Sequence, residues 1–381
     1  MDSVENGRDQ KNDAAPLYLR NAWYATAWGK DLGSTPLPKI LLEEEIVLYR
    51  MKNGTPVALG DRCPHRFAEL HGGKIVGDNI QCPYHGLQFD SSGACAFNPH
   101  GGHRPASAKV RSYPVVERHS LIWLWMGAPE KADPARIPNF HVLEDPGHAV
   151  VRGQIEIAAE YQLYTDNLLD LSHTEYLHPS FQVPGTLDRC TTQTVQDGDT
   201  VHFIRDFPED IAIGPLQKTM CEGVGGKEND TISIHQDVSW EAPANMCLST
   251  TQTSKGRKAA RIYAVHIVVP TRRGRSQLLW TLVRDWKISD PQMTEQLLSS
   301  LTRIISTEDI PPIESQQSYV KNRELLSLKP VLMKTDDAPV RARRILHRMI
   351  REEQESQSAD MTVSTRRPEL DFGYAAPGAA K

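Results

Sequence analysis

Two short stretches constrain this chain more than anything else in it. Cys63-Pro64-His65 is followed, after sixteen residues, by Cys82-Pro83-Tyr84-His85, so two loops each offer one thiolate and one imidazole. Both sit among loop-forming residues (Pro64, Pro83, Gly72, Gly73, Gly86). The short apolar runs around them, at 46–49, 56–59, 80–81, 87–90 and 121–126, read as strands, and Asp90-Ser91-Ser92-Gly93 reads as a hairpin turn. A set of two Cys and two His serves either a structural Zn²⁺ or a [2Fe–2S] cluster in which imidazoles replace the thiolates of one iron. Unrelated loop residues are the third reading. His71, His100 and His103 lack such pairing and read as loop histidines, and Cys95, Cys190, Cys221 and Cys247 as ordinary small residues.

A second constellation follows a Pro- and Asp-rich stretch at 131–146, where a domain boundary is expected. Residues 160–177 carry helical periodicity and include Asn167, Asp170 and His173, with His178 just beyond. Asp170 and His173 are three apart and share a helix face. His173 and His178 are five apart, about 140° out of phase on a regular helix, so one metal can reach both only if the helix ends or bulges between them. Two imidazoles and a carboxylate with open positions form the facial triad of non-haem Fe(II). Two polar-face histidines are the plainer alternative.

Residues 200–283 read as strands with long loops. Asp290 as N-cap and Pro291 at the first helical position open a helix through 307, and more helix is expected at 312–325 and 340–354. The order is all-β first, then sheet and helix together. At roughly 150 residues per domain, 381 residues predict two or three domains. A net charge of −5 gives no basic field for nucleic acid. The longest apolar runs, such as 121–126, fall far short of the ~20 residues of a membrane helix. Residues 1–16 are polar and lack the apolar core of a secretory signal, so the cytoplasm is the expected compartment.

The two constellations together resemble the oxygenase component of Rieske non-haem iron oxygenases, in the branch of the vanillate and dicamba O-demethylases. The likeness is carried by Asn21-Ala22-Trp23-Tyr24, Cys63-Pro64-His65-Arg66, Cys82-Pro83-Tyr84-His85-Gly86-Leu87 and Asp166-Asn167-Leu168-Leu169-Asp170-Leu171-Ser172-His173. Asn98-Pro99-His100-Gly101 and Arg104-Pro105-Ala106-Ser107 look like the dicamba-type members. The resemblance spans roughly residues 18–350 and thins between 181 and a motif near 308.

The resemblance implies an α+β chain: an all-β Rieske [2Fe–2S] domain at 18–135, a helix-grip catalytic domain of antiparallel sheet plus helices at 136–355, and tails at 1–17 and 356–381. It assigns Cys63 and Cys82 to one cluster iron and His65 and His85 to the other. His173 and His178 become ligands of the mononuclear iron. Glu308-Asp309-Ile310 followed by Glu314-Ser315-Gln316-Gln317 matches the motif of the third ligand, hence Asp309; by chemistry alone Asp285, Asp290 and Glu308 are equivalent, and Pro311 and Pro312 are a local departure. Asp170 is implied as the carboxylate joining His85 of one subunit to His173 of its neighbour in a homotrimer, and Asn167 as a residue close to the iron. His266 matches a substrate-contacting histidine, a core or loop histidine being the alternative, and Ser300 stands where the dicamba-type pocket has a tryptophan.

The implied activity is monooxygenation with O₂. One oxygen atom enters the substrate and the other leaves as water. On an O-methyl or N-alkyl group the hydroxylated carbon collapses to an aldehyde, which is dealkylation of an aromatic substrate, xenobiotics included. The chain shows no dinucleotide or flavin motif, so electrons from NAD(P)H must come through a separate flavin reductase, with or without a ferredoxin. The rivals are a ring-hydroxylating dioxygenase, a methyl-group monooxygenase or N-dealkylase of the same superfamily, a simple Rieske electron carrier, and a Zn-stabilised binding module without redox chemistry.

Overall fold

The computed structural model describes residues 18–101, 103–178, 186–211, 214–227, 230–254 and 256–364. The expected tail at 1–17 lies outside them, as do residues 365–381.

Among the described residues, ten strands build the first half: β1 (Trp23–Trp28), β2 (Leu37–Leu41), β3 (Glu44–Arg50), β4 (Pro56–Gly60), β5 (Lys74–Val76), β6 (Asn79–Gln81), β7 (Gln88–Phe89), β8 (Cys95–Phe97), β9 (Val115–Arg118) and β10 (Leu121–Trp125). They form three antiparallel sheets, ordered β1-β10-β9, β2-β3-β4 and β5-β6-β7-β8. The hairpin at residues 90–93 joins β7 to β8 as expected. Gly93 is required there, because its φ is +79° and a Cβ would lie 2.1 Å from the Val110 carbonyl.

The second half is one seven-stranded antiparallel sheet with helices against it. Its strands are β11 (Ala149–Ile157), β12 (Thr191–Asp197), β13 (Thr200–Ile211), β14 (Thr231–Glu241), β15 (Asn245–Ser254), β16 (Ala260–Arg272) and β17 (Arg275–Arg284), in the order β11-β17-β16-β15-β14-β13-β12. The helices are α1 (Tyr161–Leu169), α2 (Thr174–Leu177), α3 (Thr186–Arg189), α4 (Pro215–Gly223), α5 (Pro291–Ile304), α6 (Ile310–Val320) and α7 (Asp337–Ser364).

Several expectations shift. The helix read at 160–177 is three pieces: α1 stops at Leu169, Asp170 is extended (φ −121°, ψ 90°), and a 3-10 turn, Leu171–His173, leads into α2. The segment 200–283 contains a helix, α4, that its strand-like pattern hid. The last helix runs nine residues past the expected start of the C-terminal tail. Asp290 does cap α5, accepting the Met293 N–H at 3.0 Å, with Pro291 at the first helical position.

The all-apolar β10, Leu-Ile-Trp-Leu-Trp, is buried along its whole length, because β1 and β9 flank it while its faces meet both halves of the protein. One core runs from Trp23, Trp123 and Trp125 through Phe140 and Tyr161 to Trp240, Met246 and Leu279. Two clasps reinforce the seam. The Glu353 carboxylate on α7 accepts the backbone N–H groups of Arg20 (2.8 Å) and Asn21 (2.5 Å). At the β2–β3 turn, the N–H groups of Leu42 and Glu43 donate to the carbonyls of Pro270 and Thr271 on β16 (3.0 and 2.8 Å).

Candidate metal centres

The two Cys/His loops hang from the ends of β4 and β6 and repeat one hydrogen-bond plan. The Cys63 N–H donates to Ala68 O (2.9 Å) and the Phe67 N–H to Cys63 O (2.9 Å); the Cys82 N–H donates to Leu87 O (2.8 Å) and the Gly86 N–H to Cys82 O (3.2 Å). Phe67 and Gly86 occupy equivalent places and both are left-handed, with φ +59° and +76°. Phe67 bears that strain with its ring exposed beneath the Arg62 guanidinium, 4.9 Å from its centroid. Both thiols are free and buried, whereas His65 is exposed and His85 half-buried, their rings 4.5 Å apart.

Burial, with the neighbouring Cys82 thiol, pushes the Cys63 thiol up to about 11, while the backbone N–H groups of His65 and Arg66 pull it down. Donors aimed at a buried sulfur beside outward-facing imidazoles suit a cluster with one thiolate iron and one imidazole iron. His100, read as an unpaired loop histidine, donates from Nε2 to the His85 carbonyl at 2.9 Å. His71 is in a loop and bonds Asp61.

The second constellation closes on itself across the chain. His173, His178 and Asp309 bring one ligand atom each to within 4.8 Å of one another. Asp309 Oδ1 lies 3.6 Å from His173 Nε2 and 3.3 Å from His178 Nε2. The break at Asp170 and the end of α2 at Leu177 supply the interruption that the spacing of five demanded. His178 follows the last helical residue and turns back beside His173, the rings 5.2 Å apart.

The Nδ1 atoms fix the tautomers. The Asp170 carbonyl can only accept, so His173 Nδ1 carries the proton and donates to it at 2.6 Å; the Glu308 carboxylate likewise accepts from His178 Nδ1 at 2.9 Å. Both Nε2 atoms therefore face the carboxylate of Asp309, the arrangement that a shared metal ion would need. Burial lowers the pKa of His173. Burial opposes charge on His178 as well, but Asp309 and Glu308 outweigh it and hold that group above its ordinary value.

Asp309 reaches the site through an unusual turn. Residues 305–309 form a π-helical turn between α5 and α6, with the Ile310 N–H donating to the Ile305 carbonyl five residues back. Pro311 and Pro312 follow at once. They have no N–H to offer the preceding turn, which favours widening the helix there, and they fit the first turn of α6.

Other residues hold the frame. Arg205, buried on β13, donates from Nη1 to the Leu171 carbonyl (3.0 Å) and from Nε to Gln236 (2.9 Å), fixing the turn between Asp170 and His173. Arg343 of α7 grips Asp166 of α1 at 2.6 Å and Gln162 at 2.7 Å. Burial raises the Asp166 carboxyl even so, with Arg343 working against the rise.

Of the remaining expected residues, Asp170 is half-buried, and its carboxylate accepts the Ser172 N–H (2.9 Å). Within one chain it is therefore the carbonyl of Asp170, and not its carboxylate, that bonds His173. Asn167 is half-buried on α1. His266 is buried on β16, stacked on Tyr164 and bonded to its hydroxyl at 3.0 Å; burial drives its pKa down to about 4. Ser300 is exposed on α5 and does not join this buried group. Glu308, Arg205, Arg343 and Tyr164 were not singled out for their roles here. Only Glu308 left a signal, as a carboxylate next to Asp309.

Comparisons with known proteins give the family. The Rieske [2Fe-2S] domain family matches residues 22–114, and the Vanillate O-demethylase oxygenase C-terminal domain family matches residues 157–352. The chain is 34% identical over 339 residues to the dicamba O-demethylase oxygenase component of Stenotrophomonas maltophilia, covering 87% of this chain and 98% of that one. It is 31% identical to the chloroacetanilide N-alkylformylase oxygenase component of Rhizorhabdus wittichii, covering 88% and 97%. The crystal structure of dicamba monooxygenase bound to 3,6-dichlorosalicylic acid superposes with a TM-score of 0.80 at 32% identity, covering 89% of this chain and 99% of that one. Among the described residues, no helix is long and apolar enough to cross a membrane. The chain therefore belongs to the Rieske non-haem iron oxygenases, as the oxygenase component of a multicomponent monooxygenase of the vanillate and dicamba O-demethylase type.

Proposed function

We propose that the protein dealkylates or hydroxylates an O-methyl or N-alkyl aromatic compound, with His173, His178 and Asp309 holding the mononuclear iron, Cys63 and Cys82 one cluster iron, and His65 and His85 the other. The observation that carries this reading is the convergence of three separated ligand atoms within 4.8 Å, with both imidazoles held at Nδ1 and turned by Nε2 toward Asp309. Bound there, the cluster supplies single electrons and the iron activates O₂.

The chain's own part is orientation and exclusion. Asp170 and Glu308 fix the two imidazoles, Arg205 fixes the turn that carries His173, and Asp166–Arg343 anchors α1. Asn167 stands one turn before that site. His266 and Tyr164 form a buried polar pair suited to orienting a substrate's oxygen or carboxylate. The neutral imidazole costs less to keep dry than a charged group in its place.

Domains at 18–135 and 136–355 suit the change from three small sheets to one large one, though β9 and β10 tie the boundary region back to β1. In a homotrimer, the half-buried Asp170 carboxylate would accept an N–H from His85 of the next subunit. Six cysteines without a disulfide among the described residues suit the reducing cytoplasm. Ferredoxin or reductase partners would approach the exposed His65 side.

The test is low-temperature EPR of the purified protein before and after dithionite, with iron and zinc analysis. A rhombic signal on reduction and three irons per chain are expected, followed by aldehyde release from aryl ethers or N-alkyl anilides. A silent, zinc-loaded sample would overturn the oxygenase assignment of these residues. Light scattering should give a trimer, and an active monomer would remove the inter-subunit role of Asp170.

A further inference from the structure

We infer that Glu308 is a positioning residue for the mononuclear metal, an anionic clamp on one of its two histidines. The inference rests on the reading of His173, His178 and Asp309 as metal ligands. Glu308 Oε2 accepts from His178 Nδ1 at 2.9 Å, and its other oxygen, Oε1, is held by Arg303 Nη1 at 2.5 Å. The Glu308 side chain is only 12% exposed, so this carboxylate is committed to two partners and not a surface charge that happens to be near.

Consecutive residues of a regular α-helix point ~100° apart, which makes it hard for both to serve one centre. The π-turn at residues 305–309 resolves this, sending Asp309 to the ligand cluster and Glu308 behind one of its members. The helix thus contributes both a ligand and the support of another ligand from adjacent positions.

The two histidines consequently differ. His173 donates to a neutral backbone carbonyl, His178 to a carboxylate. A proton shared with an anion makes the opposite ring nitrogen a stronger donor and locks the ring plane. His178 is the firm imidazole of the pair, and His173 the one whose position depends on the Asp170 turn.

The experiment titrates Fe(II) into metal-stripped protein that retains its cluster, against a competing chelator, and records EPR of the Co(II)-substituted site with the cluster oxidised and diamagnetic. Wild type, Glu308→Ala, Glu308→Gln and His173→Ala are compared. Glu308→Ala should weaken Fe(II) binding ~10–100-fold and change the Co(II) spectrum, with the cluster signal unmoved. Glu308→Gln keeps a hydrogen-bond acceptor without the charge and should lie between. Wild-type affinity and an unchanged Co(II) spectrum in Glu308→Ala overturn the clamp. If that variant loses its cluster through misfolding, the same two results in Glu308→Gln overturn it. Wild-type protein that binds no more metal than His173→Ala would instead overturn the ligand assignment beneath it.

Discussion

The two proposed metal centres of this chain are built in opposite ways. At the cluster end, all four donors lie within 23 consecutive residues, on two loops with one repeated hydrogen-bond plan. At the iron end, Asp309 comes from a helix 131 residues beyond His178, and its reach depends on a broken helix, a π-turn and buried ion pairs. The first site is local and sets its own geometry. The second is held only as well as the whole catalytic sheet and its helices are held. Damage far from the metal should therefore reach the iron and spare the cluster.

The sharpest separation comes from the ligands themselves. His173→Ala or Asp309→Ala should take turnover to background while the reduced cluster keeps its EPR signal; Cys82→Ala should abolish that signal. If the iron-end variants also lost the cluster, the two sites would not be independent.

Next is the buried ion pair. Removing Arg343 leaves Asp166 unpaired in the interior, a loss of about 3–5 kcal/mol for such pairs. Arg343→Met should lower the melting temperature and shed iron on mild heating before the cluster bleaches. Cluster and iron lost in parallel would contradict the local character of the first site.

Acid should act at the same end. His266 titrates near 4 in the folded protein and near 6.5 unfolded, so between those values the unfolded chain holds more protons and stability falls as pH falls. The loss on going from pH 7 to below 4 is about 3 kcal/mol. His266→Gln should flatten melting temperature against pH across that window. An unchanged slope would mean that the imidazole is not held neutral by burial.

The smallest effect is expected at Asp170, the proposed bridge between the two sites. Asp170→Asn should leave both metals bound but slow cluster oxidation by O₂ with substrate present by roughly ten-fold, read in a single turnover. An unchanged rate would mean the two centres communicate by another route.

The same contrast decides what could be read in advance. Cys63, His65, Cys82 and His85 announce a site because their spacing is local and their loops are short. Asp290-Pro291 announces a helix for the same reason. His173 and His178 were legible only conditionally, since their spacing of five required a break whose place, at Asp170, no local rule marks. Asp309 and Glu308 are adjacent carboxylates with identical chemistry, and only the π-turn sets the one between the two imidazoles and the other behind His178. The helix α4 was hidden because Leu216, Met220 and Val224 pack against the sheet within a segment otherwise patterned as strands.

The seam closed by Glu353 bears on modularity. Trp23, Trp125 and Met246 share one core across it, and the amides of Arg20 and Asn21 find their acceptor on the last helix of the chain. An electron-transfer unit joined in this way cannot be lifted out and grafted onto another catalytic body without exposing buried indoles and orphaning two amides. Engineering a new specificity into this protein should leave that joint whole and vary α4, whose Met220 packs in a separate cluster with Val151, Ile262 and Leu282.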